Sequence, residues 1–276
     1  MKKSYFYLME NEEEAIRLEM KTDPEAVKKQ AVWCGVKPGL RVLDAGCGPG
    51  ITTSILHKMI QPGGEIIGLD YSEERIDYAI EYYGNNTGID FYIHDLREPI
   101  NEFGQFDLIW VRFVLEYHRI GSLDIVKNLH DCIKPGGYLC LLDLDHNCLS
   151  HYDMPQEIVH IFNKLSERLD QEYNFDTYAG RKLYSYLYDY KFEDIEVDVL
   201  AHHLIYGNNL GDGDIYNWMK KLEVVAEFLD DVFESYPGGY KAFSRDFKSF
   251  FFDSRRFIYT PLIIGKGRKP NLNDTR

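Results

Sequence analysis

Cysteine is scarce in this sequence: Cys34, Cys47, Cys132, Cys140 and Cys148 are scattered, odd in number and contain no Cys-x-x-Cys pair. That spacing is not a disulfide framework, so a reducing, cytoplasmic home is expected. Long apolar runs are missing too. The start, MKKSYFYLMENEEEAIRLEM, meets glutamates before an apolar stretch can develop, and neither a signal peptide nor a membrane span is legible. Positive charge is the third scarcity. Against 45 Asp and Glu stand 31 Lys and Arg, a formal net charge of -14, which repels phosphate backbones and anionic lipid. No nucleic acid or membrane partner is expected, and a neutral or cationic small molecule suits the field better. Internal repeats, low-complexity tracts and metal-ligand spacings are also absent from the sequence. Adjacent His202 and His203 alternate to opposite faces of a strand, so no metal is expected there.

What is present is ordered by apolar periodicity. Between Asn11 and Gln30, Ala15, Ile16, Leu18, Met20, Ala26 and Val27 recur on one helical face, and Asp23-Pro24 splits the stretch into two helices. RVLDAG, EIIGLD, IDFYIHDL, FDLIWVRF and YLCLLDLD read as five short buried strands in the rhythm of a parallel sheet, with KPGG as the turn before the fifth. FEDIEVDVL reads as a sixth strand and RRFIYTPLIIGKG as a seventh. The expected fold class is α/β: a Rossmann-like, doubly wound seven-stranded sheet with an N-terminal helical segment and a helical insertion before the last strand. The expected division is a lid at 1–34, a core at 35–205 and 253–268, a helical cap at 206–252 and a tail at 269–276. The cap opens with one long amphipathic helix, Ile215 to Phe233.

The stretch VLDAGCGPG places Gly46, Gly48 and Gly50 behind Asp44 at the end of the first strand. Dinucleotide sites use G-x-G-x-x-G, whose helix N-terminus faces a pyrophosphate. Here the third glycine comes one residue early, and Asp44 would sit awkwardly beside a pyrophosphate but comfortably near an ammonium or sulfonium. The ligand implied is zwitterionic with a cationic centre, the form of S-adenosylmethionine.

With these residues VLDAGCGPG resembles motif I of the class I S-adenosylmethionine-dependent methyltransferases. The resemblance is tight over roughly residues 35–145 and looser over FEDIEV and IYTPLII. It implies an enzyme whose backbone at Gly46 and Gly48 holds the methionine part of the donor. Asp70, 24 residues after Gly46, matches the acid that takes both ribose hydroxyls, and Asp95 matches the residue that receives the adenine amino group. Cys47, Tyr71, Leu96, Val111 and Arg112 complete the implied cofactor site, with Asp44 beside the cationic centre. S-adenosylhomocysteine is the implied product.

Methyl transfer from a sulfonium is an in-line displacement, driven mainly by proximity and orientation, and a base is needed only when the acceptor must lose a proton. The loops after strands four and five supply the candidates: Arg112, Glu116, Tyr117 and His118, then Asp143, Asp145, His146, Asn147 and His151. His118 and His146 are the expected bases. The N-terminal helix resembles the leading helix of several small-molecule methyltransferases, which implies substrate roles for Tyr7 and Arg17 beside Tyr117 and Trp218. The aromatic surplus of the cap suits an apolar or ring-bearing small-molecule acceptor. A nicotinamide-dependent oxidoreductase and a non-catalytic S-adenosylmethionine-binding module are the alternatives.

Overall fold

The computed structural model describes residues 14–85, 87–146 and 151–271. Tyr7 and Asn147 lie outside them. Helices α1 (Glu14–Lys21) and α2 (Pro24–Cys34) meet at the expected break. The Asp23 carboxylate accepts the Glu25 and Ala26 N–H groups, Pro24 fills a first-turn position that needs no donor, and Gly35 closes α2 with φ 89°.

Strands β1 (Arg41–Ala45), β2 (Glu65–Asp70), β3 (Ile89–Ile93), β4 (Phe106–Arg112) and β5 (Ile133–Leu144) alternate with helices α3 (Ile51–Ile60), α4 (Glu73–Ala79) and α5 (Ser122–Asp131). They form the parallel part of the sheet in the order β3-β2-β1-β4-β5. The chain runs outward from β1 to β3 and then crosses back to β4, so the β1–β4 junction is a topological switch point with a crevice at its carboxyl end. β8 (Phe257–Arg268) adds antiparallel to β5, and β7 (Glu193–Tyr206) flanks β8. Alternating side chains serve the two faces. Val42, Ile66, Leu108 and Trp110 pack under α2 and α3 on one side, and Leu43, Leu69, Ile109 and Leu141 pack under α5 and α7 (Leu183–Asp189) on the other.

The seven expected strands are present, and the sheet has an eighth: the two-residue β6 (His151–Tyr152), which pairs with Ile258 and Phe257. KPGG is not a turn before β5 but an irregularity within it, because Phe106 pairs with Ile133 and Leu108 with Tyr138. The expected helix from Ile215 to Phe233 is two, α8 (Asp212–Phe228) and α9 (Asp230–Phe233), interrupted where Leu229 leaves helical geometry. With α6 (Gln156–Glu172) and α10 (Gly239–Phe251) they bury Trp218, Phe233, Phe243 and Phe247 in a cluster of their own. A register shift between Ala201 and His203 overrides strict alternation, and the His202 and His203 rings lie 4.3 Å apart rather than on opposite faces. Among the described residues no helix is long and apolar enough to cross a membrane, and no group of three His, Cys, Asp or Glu residues is placed to hold a metal.

Candidate active site

Gly46, Gly48 and Gly50 hold φ of 78°, 55° and 89°, a region that side chains rarely tolerate. The Gly46 and Cys47 N–H groups both donate to the Leu69 carbonyl, at 2.7 and 2.9 Å, and the Gly48 N–H donates to Asp70 Oδ2 at 2.8 Å. The turn is thereby laced to the end of β2. At Gly46 there is no room for anything larger than hydrogen: a Cβ would lie 2.3 Å from Val114 Cγ2.

A cavity opens over these strand ends. Its wall takes Gly46, Cys47 and Gly48 from the turn, Asp70 and Tyr71 from the end of β2, Asp95 and Leu96 from beyond β3, Arg112 from the end of β4, and Tyr117 and His118 from beyond it. Val111 is not in the wall; it is 1% exposed and packs in the sheet core. Asp44 is also set back, one layer behind the turn, where it accepts the Thr53 hydroxyl at 2.6 Å. Burial pushes its carboxyl up to about 7, against the Thr53 hydrogen bond and the nearby Arg112, which act the other way. An array of three carboxylates along one crevice is therefore two in the wall and one beneath it.

Both wall carboxylates have arginine partners that the sequence did not announce. Asp70 Oδ1 accepts the Ser72 N–H at 3.0 Å and the Arg75 guanidinium at 2.9 Å, and Arg75 is itself buried. Asp95 holds Arg97 by both oxygens. Its burial alone would raise its pKa, but the Arg97 bonds outweigh that and keep it below the ordinary carboxylate value. No spacing rule signals either pair, since Arg75 sits inside a helix and Arg97 in a loop.

The histidines separate. His118 shares the cavity wall with Asp95 and Arg97, and among the described residues its Nδ1 is buried without a hydrogen-bond partner, as is Nε2 of His94, also in the wall. Burial, then Arg97, pushes His118 down to about 4, so it is a neutral imidazole at physiological pH. His146 is away from the cavity, its ring 5.5 Å from that of Tyr178 in a stacked arrangement. Glu116 and Asp143 form a buried acidic pair behind the wall, where the Glu116 N–H donates to Asp143 Oδ2 at 3.1 Å. Burial and the Glu116 charge push Asp143 well above its ordinary value.

Helix α1 closes the cavity from above with Leu18, Lys21 and Thr22. Glu19 fastens one side, accepting the Tyr78 and Tyr83 hydroxyls from α4 and the π-helical turn Ile80–Gly84 that follows it. Arg17 fastens the other: it is bidentate to Glu14 and donates to Asn217 Oδ1 on α8 at 2.7 Å. It is 3% exposed and acts as a strut between α1 and α8, outside the cavity wall. Trp218, 1% exposed, is core of the cluster formed by α6, α8, α9 and α10 and likewise not in the wall. Glu19→Ala is expected to free the α4 side of α1 at a cost of about 1–3 kcal/mol. Hydrogen exchange checks this: residues 14–21 should exchange faster while the β1 to β5 amides are unaffected, and unchanged protection of α1 would contradict the fastening role of Glu19.

Residues 42–137 match the methyltransferase-domain family, a span running from β1 into β5. Demethylmenaquinone methyltransferase of Staphylococcus aureus is 27% identical over 146 residues, covering 51% of this chain and 60% of the relative. The chain thus spans less than two thirds of the curated relatives it matches. Phosphoethanolamine N-methyltransferase 2 of Haemonchus contortus, in complex with S-adenosyl-L-methionine, has a TM-score of 0.54 at 16% identity, over 90% of this chain and 53% of that one. The 4+2 cyclase SpnF has a TM-score of 0.53 at 18% identity, over 90% and 82%. At such identities the likeness concerns fold, and a cyclase among the neighbours illustrates that this fold does not by itself fix methyl transfer.

Proposed function

We propose that this chain, which carries a class I S-adenosylmethionine-dependent methyltransferase domain, methylates a small-molecule acceptor in the cavity beneath α1. The observation that carries the reading is the convergence in one wall of the glycine turn, Asp70 and Asp95, from three successive βα junctions. The donor fits the groups present. Among the described residues Asp70 Oδ2 accepts only the Gly48 N–H and retains capacity for a ribose hydroxyl, whereas Oδ1 is filled by Ser72 and Arg75. One hydroxyl, rather than two, is therefore assigned to this carboxylate. Gly46 to Gly48 would hold the methionine part, Tyr71 and Leu96 the adenine faces, and Asp95 the adenine amino group once Arg97 yields part of its fork. The orphaned His94 and His118 nitrogens supply polar atoms at the same end.

S-adenosylmethionine, when bound, supplies a methyl group on a sulfonium open to in-line displacement. The chain's own contribution is to orient and to exclude water: α1, Phe113 and Tyr117 enclose the space beside the glycine turn, and holding reactants in line lowers a barrier by up to ~7–11 kcal/mol in favourable systems. A nicotinamide reading is not favoured, because the methyltransferase-domain match includes the glycine turn itself. A donor-binding module without turnover is separated by assay: conversion of the donor to its demethylated product against a panel of aromatic and apolar metabolites supports the enzyme, and tight binding with no turnover supports the module. Asp70→Ala is expected to weaken donor binding more than about tenfold, because a buried hydroxyl contact and the tie to Gly48 are lost together. Calorimetric titration with S-adenosylhomocysteine checks this, and unchanged affinity would remove Asp70 from the site.

A further inference from the structure

Among the described residues Lys21 is the one lysine in the cavity wall. It sits at the last residue of α1, with Nζ 4.9 Å from the centroid of the Phe113 ring, and among the described residues no carboxylate pairs with it. Among the described residues the charges acting on it are Lys221 on α8, Arg17 on its own helix and Arg112 at the end of β4, against Glu116, and Arg17 is itself held by Glu14. From β7 it meets His202 and His203, both held neutral, chiefly by burial. Lys21 and Arg112 both lie over Phe113, which shares the cavity wall with them. This non-glycine residue is held at φ 59°, with the Arg112 guanidinium 4.0 Å from its ring and the His202 ring 5.0 Å away edge-on. Strained backbone of this kind costs about 1–3 kcal/mol and persists where the surroundings over-determine it.

We propose that Lys21 is the proton acceptor for an acidic hydroxyl, of phenol or enol type, on a ring-bearing acceptor docked against Phe113. The step balances simply. The acceptor O–H bond breaks, its proton bonds to the lone pair of Nζ to give an ammonium, and the electron pair stays on oxygen. Arg112, in the same wall, stabilises the resulting anion, and the ammonium later returns its proton to water. Burial, reinforced by Lys221 and Arg17, pulls Lys21 down to about 7, so the neutral amine is available near physiological pH. Methylation of that oxygen rests on the methyl-transfer reading above, but the proton transfer does not.

The test uses the full chain and the chromogenic probe 4-nitrophenol, with and without S-adenosylhomocysteine. At a pH where most of the free probe is neutral, wild type is expected to bind it as the coloured phenolate, and Lys21→Met to reduce that bound signal at least about tenfold. The urea midpoint of each variant is the control for folding, and S-adenosylhomocysteine binding to wild type reports on the donor site. In parallel, ¹³C-dimethylation of lysines followed by NMR should show a resonance titrating near 7 that is missing from Lys21→Arg, apart from other lysines near about 10. No bound phenolate in wild type, equal phenolate in Lys21→Met, or a Lys21 midpoint with the other lysines overturns the proposal. Failure of S-adenosylhomocysteine to bind wild type while the phenolate signal persists would instead sink the donor assignment and leave Lys21 standing.

Discussion

Gly46→Ala is expected to destabilise the fold by about 2–5 kcal/mol and to abolish measurable donor binding. Two costs add. A left-handed conformation with a Cβ costs about 1–2 kcal/mol, and the added methyl would overlap Val114 Cγ2 at 2.3 Å, where valine has no long side chain to swing aside. Relief requires the turn to move, and the Gly46 and Cys47 bonds to the Leu69 carbonyl then stretch. Gly39→Ala is the matched control: its φ is 84° but nothing lies within 4 Å of its Cβ, so only the conformational cost applies. Chemical denaturation of both variants checks the difference. Adding Val114→Ala to Gly46→Ala should recover part of the loss through the cycle of single and double variants. Equal destabilisation of the two glycine variants would show that the close approach to Val114 is not a constraint.

The second large effect concerns pH. Asp44 is 2% exposed and titrates at about 7 in the folded chain against 3.8 for the ordinary group. A raised value means the folded state binds the proton more tightly. The stabilisation from that proton is complete below the unfolded value and disappears as pH rises through about 7, a change of ~4 kcal/mol across the window. Asp44→Asn keeps an oxygen for the Thr53 hydroxyl but cannot ionise. The variant is therefore expected to gain stability relative to wild type by up to ~4 kcal/mol between about pH 4 and about pH 8. Urea midpoints at the two pH values measure this, and parallel pH profiles would mean that Asp44 is not a buried, ionising group.

Much of the architecture was legible because it is local. β1 to β5, β7 and β8 announce themselves as apolar runs bounded by glycine, proline and aspartate, and Asp23-Pro24 separates α1 from α2 by its own side-chain and ring chemistry. Asp70 and Asp95 were readable as acids at strand ends for the same reason. What was hidden depends on partners remote in sequence. Whether Trp218 lines a pocket or fills a core is decided by Phe247 and Phe251 on another helix. Arg17 carries the same charge whether it meets a substrate or braces Glu14 and Asn217. Lys21 acquires meaning only because α1 is laid over Phe113. The two-residue β6 has no period at all, and the shift at Ala201/His203 cancels the alternation that would have kept the two histidines apart.

Crystals of the full chain soaked with S-adenosylhomocysteine provide the most direct measurement of the central claim. Density is expected along Gly46 to Gly48, with a ribose hydroxyl on Asp70 Oδ2 and the adenine between Tyr71 and Leu96 near Asp95. Absence of the ligand from that cavity at saturating concentration, or its capture elsewhere on the chain, would contradict it.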